Sequence, residues 1–191
     1  MRLDHIAYRV ADRKKTAQFF IDAFGYRVQQ EFQIDFDDGS KAECIALEPP
    51  EKLALDKDVR GGAWSIICAV PFQTESMSIS LEQEYHLAPE IFVSDGSPGS
   101  IIGDWVAARN GVGGVHHMAY QVDSVEEVMK EWREKGYAEF TSEQPLTCPG
   151  LTQVFTKPSE LTGVIYEFIE RGEHGFCKDN VKNLMQSTKG L

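Results

Sequence analysis

Apolar and polar positions along the chain fall into two matched runs. His5–Val10 (HIAYRV) and His117–Val122 (HMAYQV) are short segments with a strand-like mix of residues. Each is followed by a polar helix-start signal, Asp12 in one and Asp123 with Ser124 in the other. A helical pattern then begins. Ala17, Phe19, Phe20, Ala23 and Phe24 form the predicted apolar face of the first helix; Val125, Val128, Met129 and Trp132 form that of the second at i, i+3, i+4, i+7. Both patterns stop at Gly-Tyr, Gly25 with Tyr26 and Gly136 with Tyr137, where glycine can take the left-handed conformation that closes a helix. A repeat of this kind predicts two copies of one supersecondary unit.

Strand signals follow each helix. In the first copy Tyr26–Asp35 and Lys41–Leu47 flank a hairpin turn at Asp37, Asp38, Gly39 and Ser40. In the second, Leu151–Thr156 and Gly163–Ile169 are strands, broken by Lys157, Pro158 and Ser159. The first copy is longer, with a surplus at about 49–84 that holds two further β-like runs, Trp64–Val70 and Met77–Leu81, read as an elaborated hairpin or extra loop. Residues 96–112 are a connector with a short helix at Ser100–Ala108. After Asp179 and Asn180, Val181, Leu184 and Met185 recur at helical spacing. The expected fold is α+β, with two tandem βαβββ modules at 1–95 and 113–170. Their curved mixed sheet would surround a metal cavity, and residues 171–191 would form a lid helix over it.

Composition narrows the partners. The 191 residues carry a net charge of −11, which repels phosphate backbones and anionic lipid, so neither nucleic acid nor membrane is expected. The start of the chain has no apolar signal-like region, and Ala63–Phe72, the longest apolar stretch, is too short to cross a bilayer. Cys44, Cys68, Cys148 and Cys177 form no C-x-x-C pair and read as free thiols in a reducing, cytoplasmic setting.

The repeat places His5 and His117 at equivalent points of the two first strands. Glu167 lies in the apolar strand VIYEFI, where a carboxylate is costly to bury without a partner. Two imidazoles and one carboxylate form a facial triad suited to Fe(II), and such a set also accepts Mn, Co, Ni or Zn. Strand alternation puts His116 and His117 on opposite faces, and the repeat register selects His117 as the inward one. His86 and His174 lie in polar surroundings and read as surface residues.

At these residues the chain resembles the vicinal oxygen chelate proteins, a superfamily that includes glyoxalase I, methylmalonyl-CoA epimerase and 4-hydroxyphenylpyruvate dioxygenase. It is most similar to the catalytic C-terminal half of the last of these. Four segments carry that likeness: Asp4–Ile6, Gly114–Ala119, Gln153–Pro158 (QVFTKP) and Gly175–Asn180 (GFCKDN). The resemblance implies a metal held by His5, His117 and Glu167. It implies that Gln153, as a catalytic and substrate-binding residue, contacts polar groups of the substrate together with Asn180, and that Phe155 and Phe176 pack against an aromatic ring. The family's N-terminal domain has no counterpart here, and Cys177 and Asp179 stand where the family has glycine.

The leading expectation is a non-haem Fe(II) dioxygenase that acts on a 2-oxo acid chelated to the metal, in a protein that forms a homodimer. A glyoxalase- or epimerase-like enzyme is the alternative. It would hold its metal by four protein groups and move a proton with a carboxylate. Glu90 sustains that alternative as a catalytic residue, because it sits in PEIFV, the first-module counterpart of the strand carrying Glu167. A metal-free binding or resistance protein is a third reading.

Overall fold

The computed structural model describes residues 1–50, 88–172 and 176–191. The β-like runs 64–70 and 77–81, Cys68, His86 and His174 lie outside the described residues. The elements in chain order are β1 (Arg2–Val10), α1 (Arg13–Phe24), β2 (Arg27–Asp35), β3 (Lys41–Glu48) and β4 (Glu90–Gly96). They continue with α2 (Ile101–Ala107), β5 (Gly113–Gln121), α3 (Val125–Lys135), β6 (Leu146–Cys148), β7 (Leu151–Phe155), β8 (Ile165–Arg171) and α4 (Lys178–Ser187).

All eight described strands join one curled half-barrel sheet in the order β2-β3-β4-β1-β5-β8-β7-β6. The two halves repeat one topology. β1 pairs parallel with β4 and β5 parallel with β8, while the two first strands meet antiparallel at the centre. Both histidine strands therefore lie side by side in the middle of the sheet.

The local signals act as chemistry requires. Asp12 and Ser124 cap α1 and α3 by accepting from the backbone N–H groups of Lys15 and Glu127. Gly25 and Gly136 close them at φ 73° and 66°. The two helices cover the convex face. Ala17, Phe20 and Ile21 of α1 pack on Ile45, Leu47, Ile91 and Val93. Val125, Met129 and Trp132 of α3 pack on Val154 and Phe168.

The predicted face of α1 needs correction. Phe19 is 57% and Phe24 55% exposed, and Ala23 is exposed too. Ala17, Phe20 and Ile21 already fill the i, i+3, i+4 stripe that meets the sheet, so Phe19 lies off it. One strand was not foreseen. β6 spans three residues, too short for an alternating pattern to stand out.

On the concave face, α2 and α4 close over the sheet. Ile102, Trp105, Val181 and Met185 join Phe32, Ile34, Phe36, Ala46 and Phe92 in one cluster. Leu184 joins Phe155 and Ile165. The predicted tail helix thus buries its apolar stripe against the sheet; it begins right after Cys177, whose side chain makes no cap hydrogen bond, rather than after Asp179 or Asn180.

Candidate functional site

Alternation along β1 turns His5, Ala7 and Arg9 to the concave face, while Ile6, Tyr8 and Val10 pack toward α1. On β8 the same period turns Ile165, Glu167 and Ile169 inward, with Phe168 outward against α3. His5, His117 and Glu167 meet at the sheet centre and are 1%, 8% and 1% exposed. Nε2 of His5 lies 3.2 Å from Nε2 of His117, and both lie near Oε2 of Glu167, at 3.2 and 3.1 Å. Ligand atoms at right angles around a cation, with bonds of about 2.0–2.2 Å, stand about 3 Å apart. The triangle has the size of that face, and its donor set is the one expected for a divalent metal.

Each imidazole also has a partner on its other nitrogen. Asp4 Oδ1 lies 2.8 Å from His5 Nδ1, and His116 Nδ1 lies 2.8 Å from His117 Nδ1. Arg171 in turn bridges Asp4 at 2.6 Å and Glu90 at 3.1 Å. A ring nitrogen held in this way fixes the tautomer that the opposite nitrogen presents to a metal.

The electrostatics of the three groups show how tightly they are coupled. Burial disfavours a charged His5, but the Glu167 and Asp4 carboxylates outweigh it and hold the pKa up at about 9. Burial disfavours the Glu167 carboxylate, and the two histidines outweigh that and bring it down to about 2. His117 goes the other way: burial, with Glu167 only partly compensating, lowers its pKa.

His116 corrects the alternation argument. It is 5% exposed, lines the same cavity and packs its ring 6.1 Å from Phe155. The register between β1 and β5 shifts from Ala7 opposite His117 to Tyr8 opposite Val115. That bulge inserts one residue, so adjacent histidines reach the same side. Gly113, just before it, takes φ 85°, and a Cβ there would stand 2.0 Å from the Arg9 carbonyl oxygen. The Gly113–Gly114 pair was the available sequence signal.

Glu90 also differs from expectation. Its strand is the counterpart of β8, but the register is offset. His5 faces Glu90 and Ala7 faces Phe92, whereas His117 faces Ile165 and Ala119 faces Glu167. The position that matches Glu167 is thus Phe92, and Glu90 matches Ile165. Instead of joining the three, the Glu90 carboxylate sits beside Arg171 and accepts from Gln29 Nε2 at 3.3 Å.

The remaining predicted residues divide. Gln153 lines the cavity and donates from Nε2 to Glu167 Oε1 at 2.7 Å, while its Oε1 is buried without a partner among the described residues. Phe155 stacks 4.6 Å from the His117 ring and Phe176 lies 5.2 Å from that of His5. Asn180 is not on the cavity wall; its amide donates to the Leu146 carbonyl at 3.3 Å, which ties α4 to β6. Residues that sequence reasoning passed over are Asp4, Arg9, Phe92 and Arg171, because only the register brings them to the site.

Comparison with known proteins agrees with this architecture. The profile of the Glyoxalase/Bleomycin resistance protein/Dioxygenase superfamily matches residues 4–147. No curated protein matches the chain by sequence. Among solved structures, a methylmalonyl-CoA epimerase superposes with a TM-score of 0.61 at 20% identity, over 91% of this chain and 97% of that one. The methylmalonyl-CoA epimerase of Mycobacterium tuberculosis gives 0.58 at 17%, over 90% and 88%. A variant of 4-hydroxymandelate synthase from Streptomyces coelicolor gives 0.67 at 18%, over 98% of this chain but 54% of that one, so the chain spans about half of that enzyme. At such identities the superpositions speak for the fold alone. The family match extends over most of the sequence, from the first histidine strand through β6, and on it the chain belongs to the glyoxalase/bleomycin resistance protein/dioxygenase superfamily.

Proposed function

We propose that the chain is a non-haem Fe(II)-dependent dioxygenase acting on a 2-oxo acid. His5 and His117 would hold the metal through Nε2 and Glu167 through Oε2. The observation that carries this reading is Phe92. It takes the place that matches Glu167 in the other half, is 4% exposed, and offers an aromatic ring where a fourth ligand would stand. Three protein ligands leave three of six positions to a bidentate 2-oxo acid and dioxygen, whereas a fourth would leave two. Bound Fe(II) supplies the redox chemistry that couples dioxygen to decarboxylation of a 2-oxo acid.

The chain's own residues have definable tasks. Asp4 and His116 orient the two imidazoles. Gln153 fixes the Glu167 carboxylate and keeps a buried, unsatisfied acceptor, suited to a substrate hydroxyl or N–H. Phe92, Phe155 and Phe176 supply apolar walls, and Val181, Leu184 and Met185 of α4 roof the cavity and exclude water. Glu90 acts at a distance, by holding Arg171 against Asp4. No helix of the described residues is long and apolar enough to cross a membrane. The free thiols of Cys44, Cys148 and Cys177 fit a reducing compartment such as the cytoplasm.

The epimerase- or glyoxalase-like reading stays as the second, because Glu90 is a carboxylate one ion pair away from the site. An oxygen-electrode screen of 2-oxo acids with anaerobically reconstituted protein, wild type and Glu90→Gln, separates the two. The dioxygenase reading expects oxygen-dependent turnover in both proteins and metal affinity within about tenfold of each other, about 1.4 kcal/mol. Oxygen-independent proton exchange next to a carbonyl, lost in Glu90→Gln, would reverse the choice.

A further inference from the structure

Among the described residues, Arg9 is a buried charge that no ion pair accounts for. It lies four residues beyond His5 on β1, about 13 Å along the strand at 3.3 Å per residue, and it lines the same cavity. It is 2% exposed. Its Nη2 donates to Thr188 Oγ1 at 2.9 Å, a neutral hydroxyl, and its Nη1 has no partner among the described residues. No described carboxylate pairs with it. Its guanidinium carbon stands 5.8 Å from the Trp105 ring centroid, and Arg109 lies over that same ring. Burial, with Arg109 adding to it, brings the Arg9 pKa down to about 9. A buried cation with no counter-ion among the described residues is expensive to keep.

A second buried donor points to the same missing group. If His117 presents Nε2 to a metal, its Nδ1–H donates to Nδ1 of His116, and the His116 proton must then sit on Nε2. That nitrogen is buried without a partner among the described residues, on a side chain that belongs to the cavity lining. Two unsatisfied donors, one a fork-shaped cation, call for an acceptor of the kind a carboxylate provides. The carboxylate of the metal triad cannot be that acceptor, since Glu167 is committed to His5, His117 and Gln153, and the unpaired Gln153 Oε1 is a neutral amide oxygen that leaves the Arg9 charge uncompensated.

We propose that Arg9, assisted by His116 Nε2, binds a second carboxylate at the far end of the substrate, so that the substrate class is a 2-oxo acid carrying another acid group. This deepens the dioxygenase reading and rests on it for the 2-oxo end, but the carboxylate site at Arg9 stands on its own geometry. Thr188, just beyond α4, braces the guanidinium, so that Arg9 and the end of the roof helix are joined through one hydrogen bond.

Calorimetric titration of the full chain tests it in two arms. Protein loaded with Zn(II), which is redox-inert, is titrated with 2-oxoglutarate and 2-oxoadipate and with the monoacids 2-oxopentanoate and 2-oxohexanoate. Wild type is expected to bind the diacids at least about tenfold more tightly than the monoacids of equal length. Arg9→Met should erase that preference and leave the monoacids unchanged, and Arg9→Lys should keep part of it. In the second arm metal-free protein is titrated with hexanoate and hexanamide, and only the carboxylate should bind, in an Arg9-dependent manner. Equal binding of diacids and monoacids by zinc-loaded wild type, or a preference retained in Arg9→Met, would overturn the proposal. If no zinc binds but hexanoate still requires Arg9, the metal reading fails and the anion site stands. The wild-type comparison needs no variant, so it decides even if Arg9→Met does not fold.

Discussion

The two halves of the sheet share a topology but divide the work. The second half, β5 to β8, sends His117, Gln153 and Glu167 to the concave face. The matching inner face of the first half is largely apolar, with Phe32, Ile34, Ala46 and Phe92 in its core, and it contributes His5 and Arg9. Where the second half has Glu167, the first has Phe92. On the proposed reading, a symmetric pair of modules would give four ligands and leave two positions open. An aromatic ring in place of one ligand would leave a third position open, and Phe92 lines the cavity at that place. The proposed function therefore rests more on this difference between matching positions than on the repeat itself.

The largest effect should come from restoring the symmetry. In Phe92→Glu a second carboxylate would be buried beside Glu167. The metal-free variant should lose about 3 kcal/mol or more, and metal should recover most of it. Oxygen-dependent turnover should fall to background. Thermal unfolding with and without Zn(II), beside an oxygen-electrode assay, reads both. Undiminished turnover would show that the fourth corner is not where the reaction needs room.

The convex face allows a second comparison. Met129 in α3 is 2% exposed and packed in the Val125, Val154 and Phe168 cluster, so Met129→Ala should cost about 2–5 kcal/mol in urea unfolding. Phe24→Ser in α1 removes a ring that is 55% exposed and should change stability by no more than about 0.5 kcal/mol. A large cost at Phe24 would mean that α1 buries a wider face than its exposure indicates.

Much of this was legible in the sequence, for physical reasons that differ by residue. Asp12, Ser124, Gly25 and Gly136 act through their own backbone, so cap and stop signals located both helices. The histidine repeat and the costly carboxylate in VIYEFI marked the three residues that now lie within about 3 Å of one another. What stayed hidden depends on register across strands distant in sequence. The bulge that turns His116 inward and the offset that aligns Phe92 rather than Glu90 with Glu167 are pairings, and no single segment encodes them. Arg9 carried no signal either, since an arginine in a strand is ordinarily exposed.

A smaller effect should follow from loosening a single imidazole. Asp4→Asn keeps the shape but removes the charge behind His5 Nδ1, and metal affinity should fall about 10–100-fold. If His5 is oriented by the sheet alone, competition titration with a chelator will show no change.

The pH dependence of the metal-free protein gives the gentlest probe. The folded-state pKa of His5, about 9, lies above its ordinary 6.5, so that stabilisation is complete below about pH 6.5 and is lost as pH rises through 9. For Glu167, at about 2 against an ordinary 4.5, stabilisation is complete above pH 4.5 and is lost as pH falls through 2. Buried His116 and His117, with lowered pKa values, add an acid-side penalty that begins near pH 6.5. Stability should therefore peak near neutrality and fall on both sides, and Glu167→Gln should flatten the alkaline limb. Metal binding at pH 7 should also release about one proton, from His5. Calorimetry in buffers of different ionisation enthalpy would detect it, and no release would place the proton elsewhere.

On the proposed reading, one divalent ion is held by His5, His117 and Glu167, with His116 behind His117 rather than on the metal. Anaerobic Fe(II) titration of wild type and of the four single alanine variants tests it most directly. The account predicts one ion per chain in wild type, loss of stoichiometric binding in His5→Ala, His117→Ala and Glu167→Ala, and binding retained with affinity weakened no more than about 100-fold in His116→Ala. Equal loss in all four, or full binding without Glu167, would contradict it.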